Sequence, residues 1–282
     1  MSEDDKIGFL IRLLDDDSPV VQEALGREFL GFGAGLHARL AGVTPALDDA
    51  ALARIQQLVG EEARRLLRTS WEAWLGSIAM APLERLEAAF TLIADFQNGP
   101  GHAQSLGGLL DGLEAEFRRR GGTVDEETLA RFLFKEKGLE GDRSNYYHPQ
   151  NSNLVYVIES RRGLPISLAC VYMLVGRRLG LNIGGCNWPH HFFARIVLRR
   201  KIVLVDCFNG GRMLDRESFL KMQGPSREAA EAVLDEAASV EQIVSRVLGN
   251  LVRAYQQVSH EANSRLMLDL LRETERHFGA RR

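Results

Sequence analysis

The chain is poor in cysteine and proline and carries almost no excess charge. Three cysteines, Cys170, Cys186 and Cys207, stand among 282 residues. An odd number without close pair spacing gives neither a disulfide framework nor a zinc knuckle, and it points to a reducing compartment. A formal net charge of −3 excludes the broad basic face that nucleic-acid binding requires. No uncharged apolar run approaches the length a bilayer demands, and the opening MSEDDKIGFL is acidic where a secretory signal is basic. These absences lead us to expect a cytoplasmic protein that contacts neither membrane nor nucleic acid. A composition 45% hydrophobic and 26% charged is that of a globular chain able to bury a core.

What the chain does have is helical periodicity over most of its length. Ile7, Leu10, Ile11 and Leu14 form one stripe. A second helix opens at Ser18 as N-cap with Pro19 in the first helical position, and Gly31 and Gly33 stop it. Residues 1–43 thus read as one hairpin of the HEAT type, without the further copies that a solenoid needs. Residues 44–139 read as a helical region packed on the core. Its spans are Asp48 to Leu67, Trp71 to Phe96 with Pro82 kinking or restarting the helix, and Gln104 to Arg119 after the breaker Asn98-Gly-Pro-Gly101. Thr123 is the expected N-cap of a helix running through Phe132 and Phe134.

The pattern changes within residues 140–225. Leu164 to Leu179 reads as a buried helix opened by Pro165. Strand-like runs follow at Leu181 to Asn187, His191 to Leu198 and Ile202 to Asp206, with Arg199, Arg200 and Lys201 turning between the last two. After Gly210 and Gly211 a short helix is expected from Leu214 to Met222, and residues 226–282 are helical from Glu228 to Phe278, with breaks near Ala237 to Val240 and at Ser259. The fold class is α+β, a small antiparallel sheet and a central helix among many helices.

Five blocks of this region stand together: Asn145-Tyr-Tyr-His-Pro-Gln-Asn-Ser152, Arg162-Gly-Leu-Pro-Ile-Ser-Leu168, Arg178-Leu-Gly180, Pro189-His-His-Phe192 and Asp206-Cys-Phe-Asn-Gly-Gly211. In this order they resemble the bacterial SirB-type branch of the transglutaminase-like superfamily over roughly residues 140–215. The resemblance implies a papain-like core. It also implies a site in which a Cys on the first turn of the central helix, a His on the next strand and an Asp on the strand after it work together. A helix N-terminus favours the thiolate, the His takes its proton, and a carboxylate fixes the imidazole. The His falls on His191 and the Asp on Asp206, while the thiol position holds Pro165, which has no nucleophilic atom. The chain departs from the branch at three more places: His190 stands where Gly is usual, Cys207 where Pro is usual, and His148 where an acid is usual.

Four side chains could replace the missing nucleophile. Cys170 lies about 140° round the helix from Pro165 and about 7.5 Å along it, which turns it toward the core. Cys186 precedes His191 and reads as a small apolar residue in GGCNW, while Cys207 follows Asp206 and alternation turns it away. Ser167 carries a hydroxyl near the helix start, where such a group ordinarily bonds a free backbone N–H. Adjacent His190 and His191 on a strand point to opposite faces, so no metal is expected, and no cofactor is implied.

The leading reading is a transglutaminase-like protein without the catalytic cysteine, a binding or regulatory module rather than an enzyme. A protein or peptide partner would be held in a groove of Asn145, Tyr146, Trp188, His191 and Asn209. The alternative is an active amidase, peptidase or transglutaminase with a displaced nucleophile beside His191 and Asp206.

Overall fold

A computed structural model describes residues 3–99, 104–221, 231 and 233–279. Pro100 and Gly101 of the expected breaker, Met222, the expected boundary at 225–226 and Glu228 lie outside the described residues. The chain divides into two compact units, residues 1–73 with 92–103 and residues 74–91 with 104–282.

In the first unit, helices α1 (Glu3–Ile11), α2 (Pro19–Gly31) and α3 (Leu36–Ala41) pack with the first part of α4 (Asp49–Gly76). Their shared core is Ile7, Leu10, Leu14, Leu25, Phe29, Leu40, Ile55 and Leu58, the residues that periodicity places on one face. Ser18 does precede α2 with Pro19 in the first position, but its side chain makes no cap bond. Its N–H instead donates to Asp16 Oδ1 at 2.8 Å.

Helix α5 (Pro82–Asn98) begins at its proline, so Pro82 restarts the helix rather than kinking it. In the second unit, α6 (Leu106–Arg119) is capped by Ser105, whose Oγ accepts from the Gly108 N–H. The helix α7 (Glu126–Arg131) is capped by Asp125 and not by Thr123: the Asp125 carboxylate reaches the Thr128 N–H at 2.7 Å, and a single π turn, Phe132–Glu136, extends it.

The second unit is built round α9 (Pro165–Arg178), which follows α8 (Leu154–Ser160). Every residue of α9 from Pro165 to Gly176 is buried, which explains why its sequence is apolar on all sides. Its polar C-terminal end is held by Arg178, whose guanidinium donates to both oxygens of Glu87 at 2.8 Å and to Asp111 at 2.6 Å. The expected Arg-Leu-Gly block is therefore an anchor.

Two sheets occur among the described residues. A two-residue parallel pair, β1 (Glu140–Gly141) with β2 (Arg162–Gly163), was not foreseen from sequence. The main sheet is an antiparallel meander of β3 (Gly184–Cys186), β4 (Phe193–Leu198), β5 (Lys201–Asp206) and β6 (Arg212–Asp215). The β4–β5 connection is two residues long, with Arg199 and Arg200 both at positive φ as a tight hairpin requires. Strand β4 begins two residues beyond His191, because His190 occupies a turn at φ 63°. The expected strand run is correspondingly shorter, and the argument that His190 and His191 alternate across a strand does not apply. Helices α10 (Arg216–Lys221), α11 (Val240–Gln257) and α12 (Glu261–Gly279) follow among the described residues. A reciprocal capping box between Ser239 and Gln242 opens α11. Among the described residues, no helix is long and apolar enough to cross a membrane.

Candidate functional site

The loop before α8 is tied from within. Asp142 Oδ1 accepts from the Ser144 hydroxyl at 3.0 Å and the Asn145 N–H at 2.9 Å, and its Oδ2 accepts from Asn151 Nδ2 at 3.2 Å. Burial pushes the Asp142 carboxyl up, but these bonds outweigh it and hold the group below the usual carboxylate range. Fully buried Asn151 also donates to the carbonyls of Asn145 and Tyr146. The tied turn presents Tyr146 and Tyr147 outward, 37% and 52% exposed.

The same Asn151 reaches the start of α9. The Ser167 hydroxyl, fully buried, donates to the Asn151 carbonyl at 2.7 Å. Ser167 thus satisfies a carbonyl of the preceding loop, where its sequence position suggests a bond to a free helix N–H. Leu164 stands as N-cap and Pro165 fills the first helical position. Pro165 offers no nucleophilic atom there, and the Ser167 hydroxyl is engaged.

Opposite charge and amide groups assemble at the end of β5. His191 Nε2 lies 3.0 Å from Asp206 Oδ1. Asn209 donates to the same carboxylate twice, from Nδ2 to Oδ2 at 2.7 Å and from its backbone N–H to Oδ1 at 3.3 Å. Arg143 in turn donates to Asn209 Oδ1. Burial raises the Asp206 carboxyl, yet the His191 and Asn209 bonds bring it below the ordinary carboxylate range, so it is held ionised. Asn209 therefore serves as a clamp on Asp206 and leaves no side-chain amide facing a groove. The His191 ring packs against Phe193 at 4.4 Å between centroids and edge-on to Phe208 at 6.2 Å. Phe208 lies so close over Gly141 that a Cβ there would stand 2.4 Å from the ring.

The cysteines are elsewhere. All three are free and fully buried. Burial pushes the Cys170 thiol far up, raises Cys207 well above its ordinary value, and brings Cys186 to about 11. Cys186 Sγ points to the Val233 carbonyl at 3.9 Å and Cys207 Sγ to that of Val205 at 3.6 Å. Cys207 lies in a 3₁₀ turn, Cys207–Asn209, so its burial follows from that turn and not from strand alternation. Gly210 and Gly211, both at φ above 70°, complete the turn into β6.

An open cleft of about 540 Å³ lies next to this region. Of the expected groove residues only Tyr146 lines it, with Tyr147, His148, His190 and, from α11, Arg246 and Arg253 among the others. Trp188 packs edge-on against Phe219 at 4.9 Å, on a buried cluster containing Cys186, Phe193 and Leu204. Sequence reasoning passed over Asp142, Asn151, Phe208 and Arg246. The first three lie within or beside the recognised blocks and look like ordinary loop residues. Arg246 lies well beyond them, and its only trace is a polar face, Arg246, Asn250 and Arg253, on an otherwise amphipathic helix. Among the described residues, no three of His, Cys, Asp and Glu come together as a metal would require.

Comparison with known proteins agrees with this core. Residues 104–249 match the transglutaminase-like superfamily. A UPF0162 protein of Xylella fastidiosa (strain Temecula1) is 39% identical over 132 residues, 44% of this chain and 47% of that protein. The match thus spans about half the length of that relative. UPF0162 protein PA3419 of Pseudomonas aeruginosa is 30% identical over 192 residues, 64% of this chain and 68% of the relative. F-box only protein 21 of Mus musculus is 25% identical over 147 residues, 49% of this chain and 23% of that protein. No solved structure matches. A family match over more than half of the chain makes this chain a member of the transglutaminase-like superfamily.

Proposed function

We propose that this chain is a SirB-type member that has kept the superfamily's groove without its acyl-transfer chemistry, and that it acts as a protein- or peptide-binding module. One observation carries the reading: all four side chains weighed as replacement nucleophiles are fully buried. Cys170, Cys186 and Cys207 are fully buried with raised thiols, and the Ser167 hydroxyl is spent on Asn151. Pro165 stands at the helix start where the thiolate would form. His191 and Asp206 then join two segments of the fold, a task that a hydrogen-bonded pair performs without a nucleophile. The matched region makes up less than a quarter of the murine F-box only protein 21, which suits a unit used as a module.

Activity is the direct test. Purified protein incubated with glutamine-containing peptides and a primary amine is expected to release no ammonia and to cleave no peptide. Turnover abolished by His191→Ala would overturn the proposal, because loss of a working nucleophile costs on the order of 10⁶ in rate and cannot go unnoticed. The binding half of the proposal is tested at Tyr147, which is exposed and outside the core. Proteins captured by the native chain should be lost with Tyr147→Ala, and equal capture would remove this face from the account.

A further inference from the structure

We propose that the cleft between residues 146–148, His190 and α11 binds an acidic peptide, with Arg246 and Arg253 taking its carboxylates. This rests on the peptide-binding reading and names what the peptide must carry. The cleft is lined by two arginines, two histidines, two tyrosines and an asparagine, and by no acidic residue. Its volume of about 540 Å³ is that of a ligand site.

Arg246 is half-buried, and its Nη1 donates to Asn187 Oδ1 at 2.5 Å and to the Trp188 carbonyl at 2.6 Å. Both acceptors are neutral. Among the described residues neither Arg246 nor Arg253 forms an ion pair with a carboxylate. A guanidinium drawn from water without a counter-charge is costly, and an arriving carboxylate removes that cost through charge-assisted bonds. Burial accordingly makes the Arg246 proton easier to lose than usual, with opposing contributions only from Tyr146 and Cys186.

The helix is shaped for the same purpose. Arg246, Gly249, Asn250 and Arg253 recur at the spacing of one helical face and all line the cleft. Glycine weakens a helix interior, yet no neighbour demands it here: a Cβ on Gly249 would meet nothing within 4 Å. Its absence leaves the backbone of α11 open to close approach from the cleft. The two arginines are separated by about 10.5 Å along the axis, too far for one small anion to engage both near their backbones. An extended chain bearing more than one carboxylate, flanked by the Tyr146 and Tyr147 rings, fits that separation. A long polyanion would need a basic stripe, which a chain of net charge −3 does not offer.

The test uses the full chain labelled for NMR, reading the Gly249 amide and the Arg246 and Arg253 side-chain N–H signals. Four probes are titrated: Ac-Ala-Glu-Ala-Glu-amide, Ac-Ala-Gln-Ala-Gln with a free C-terminal carboxylate, its amidated neutral form, and inorganic phosphate. The proposal expects saturable shifts with the two-glutamate peptide and weaker ones with the single C-terminal carboxylate; equal response to the latter would overturn the two-carboxylate assignment. Arg253→Gln should weaken binding about tenfold or more, the loss of one charged hydrogen-bonding group. Gly249→Leu, which should fold with an unchanged or higher melting temperature, should abolish it. Equal shifts with the neutral peptide would overturn the carboxylate assignment while leaving peptide binding intact. Shifts with phosphate alone, or with no probe, would overturn the proposal. Acyl-enzyme formation would instead defeat the non-catalytic reading without touching the cleft.

Discussion

The start of α9 and the His191–Asp206 pair are held by different forces. At the helix start, Pro165 and the Ser167–Asn151 bond close the backbone and consume the hydroxyl. At the pair, three polar bonds to Asp206 keep the carboxylate ionised and the imidazole oriented. One end is sealed; the other is a polar arrangement that costs desolvation. The difference teaches that a His–Asp contact can be held on structural grounds alone, since each partner satisfies the other in a partly buried place.

Loosening the loop that leads into the sealed helix start should be the costliest change. Asn151→Ala removes the amide shared by Asp142 and two carbonyls, and should lower stability by about 3 kcal/mol in chemical denaturation. Asp206→Asn should cost about 2 kcal/mol, because its new amide N–H₂ meets the donors of Asn209 and His191. This second effect carries a pH signature. The folded Asp206 carboxyl lies below its ordinary range, so its contribution is complete above the unfolded value of about 3.9 and fades as pH falls through the lower folded value. Urea midpoints of native and Asp206→Asn chains should therefore differ steadily near neutrality and converge in acid. Ser167→Ala should be smaller, about 1 kcal/mol, for one neutral hydrogen bond. A Ser167→Ala loss as large as that of Asp206→Asn would reverse the comparison.

Much of the fold was legible because it is written in periodicity and punctuation. Pro19 and Pro165 each open the helix expected of them, Pro82 takes the second of its two expected roles by restarting one, and the interval from Leu164 to Leu179 differs from α9 only by its two cap residues. Strand β6 and the β1–β2 pair were missed because two to four residues carry no alternation to read. His191 and Asp206 were visible through their motifs, and their partners less so: Asn209 turns inward to clamp Asp206 because the 3₁₀ turn points it there. Trp188 was read as groove lining since aromatic residues beside a His suggest contact surface, whereas Phe219, from a later helix, provides its packing partner. The cleft was invisible because its cationic wall arrives from α11, far along the chain.

The central claim is that no nucleophile meets His191. It is tested most directly by intact and peptide mass spectrometry of the native protein after exposure to a glutamine-mimicking electrophile. The account predicts no adduct on Cys170, Cys186, Cys207 or Ser167 until the chain is unfolded, since all four are fully buried. A stoichiometric adduct on any of them in the folded protein, lost in His191→Ala, would contradict it.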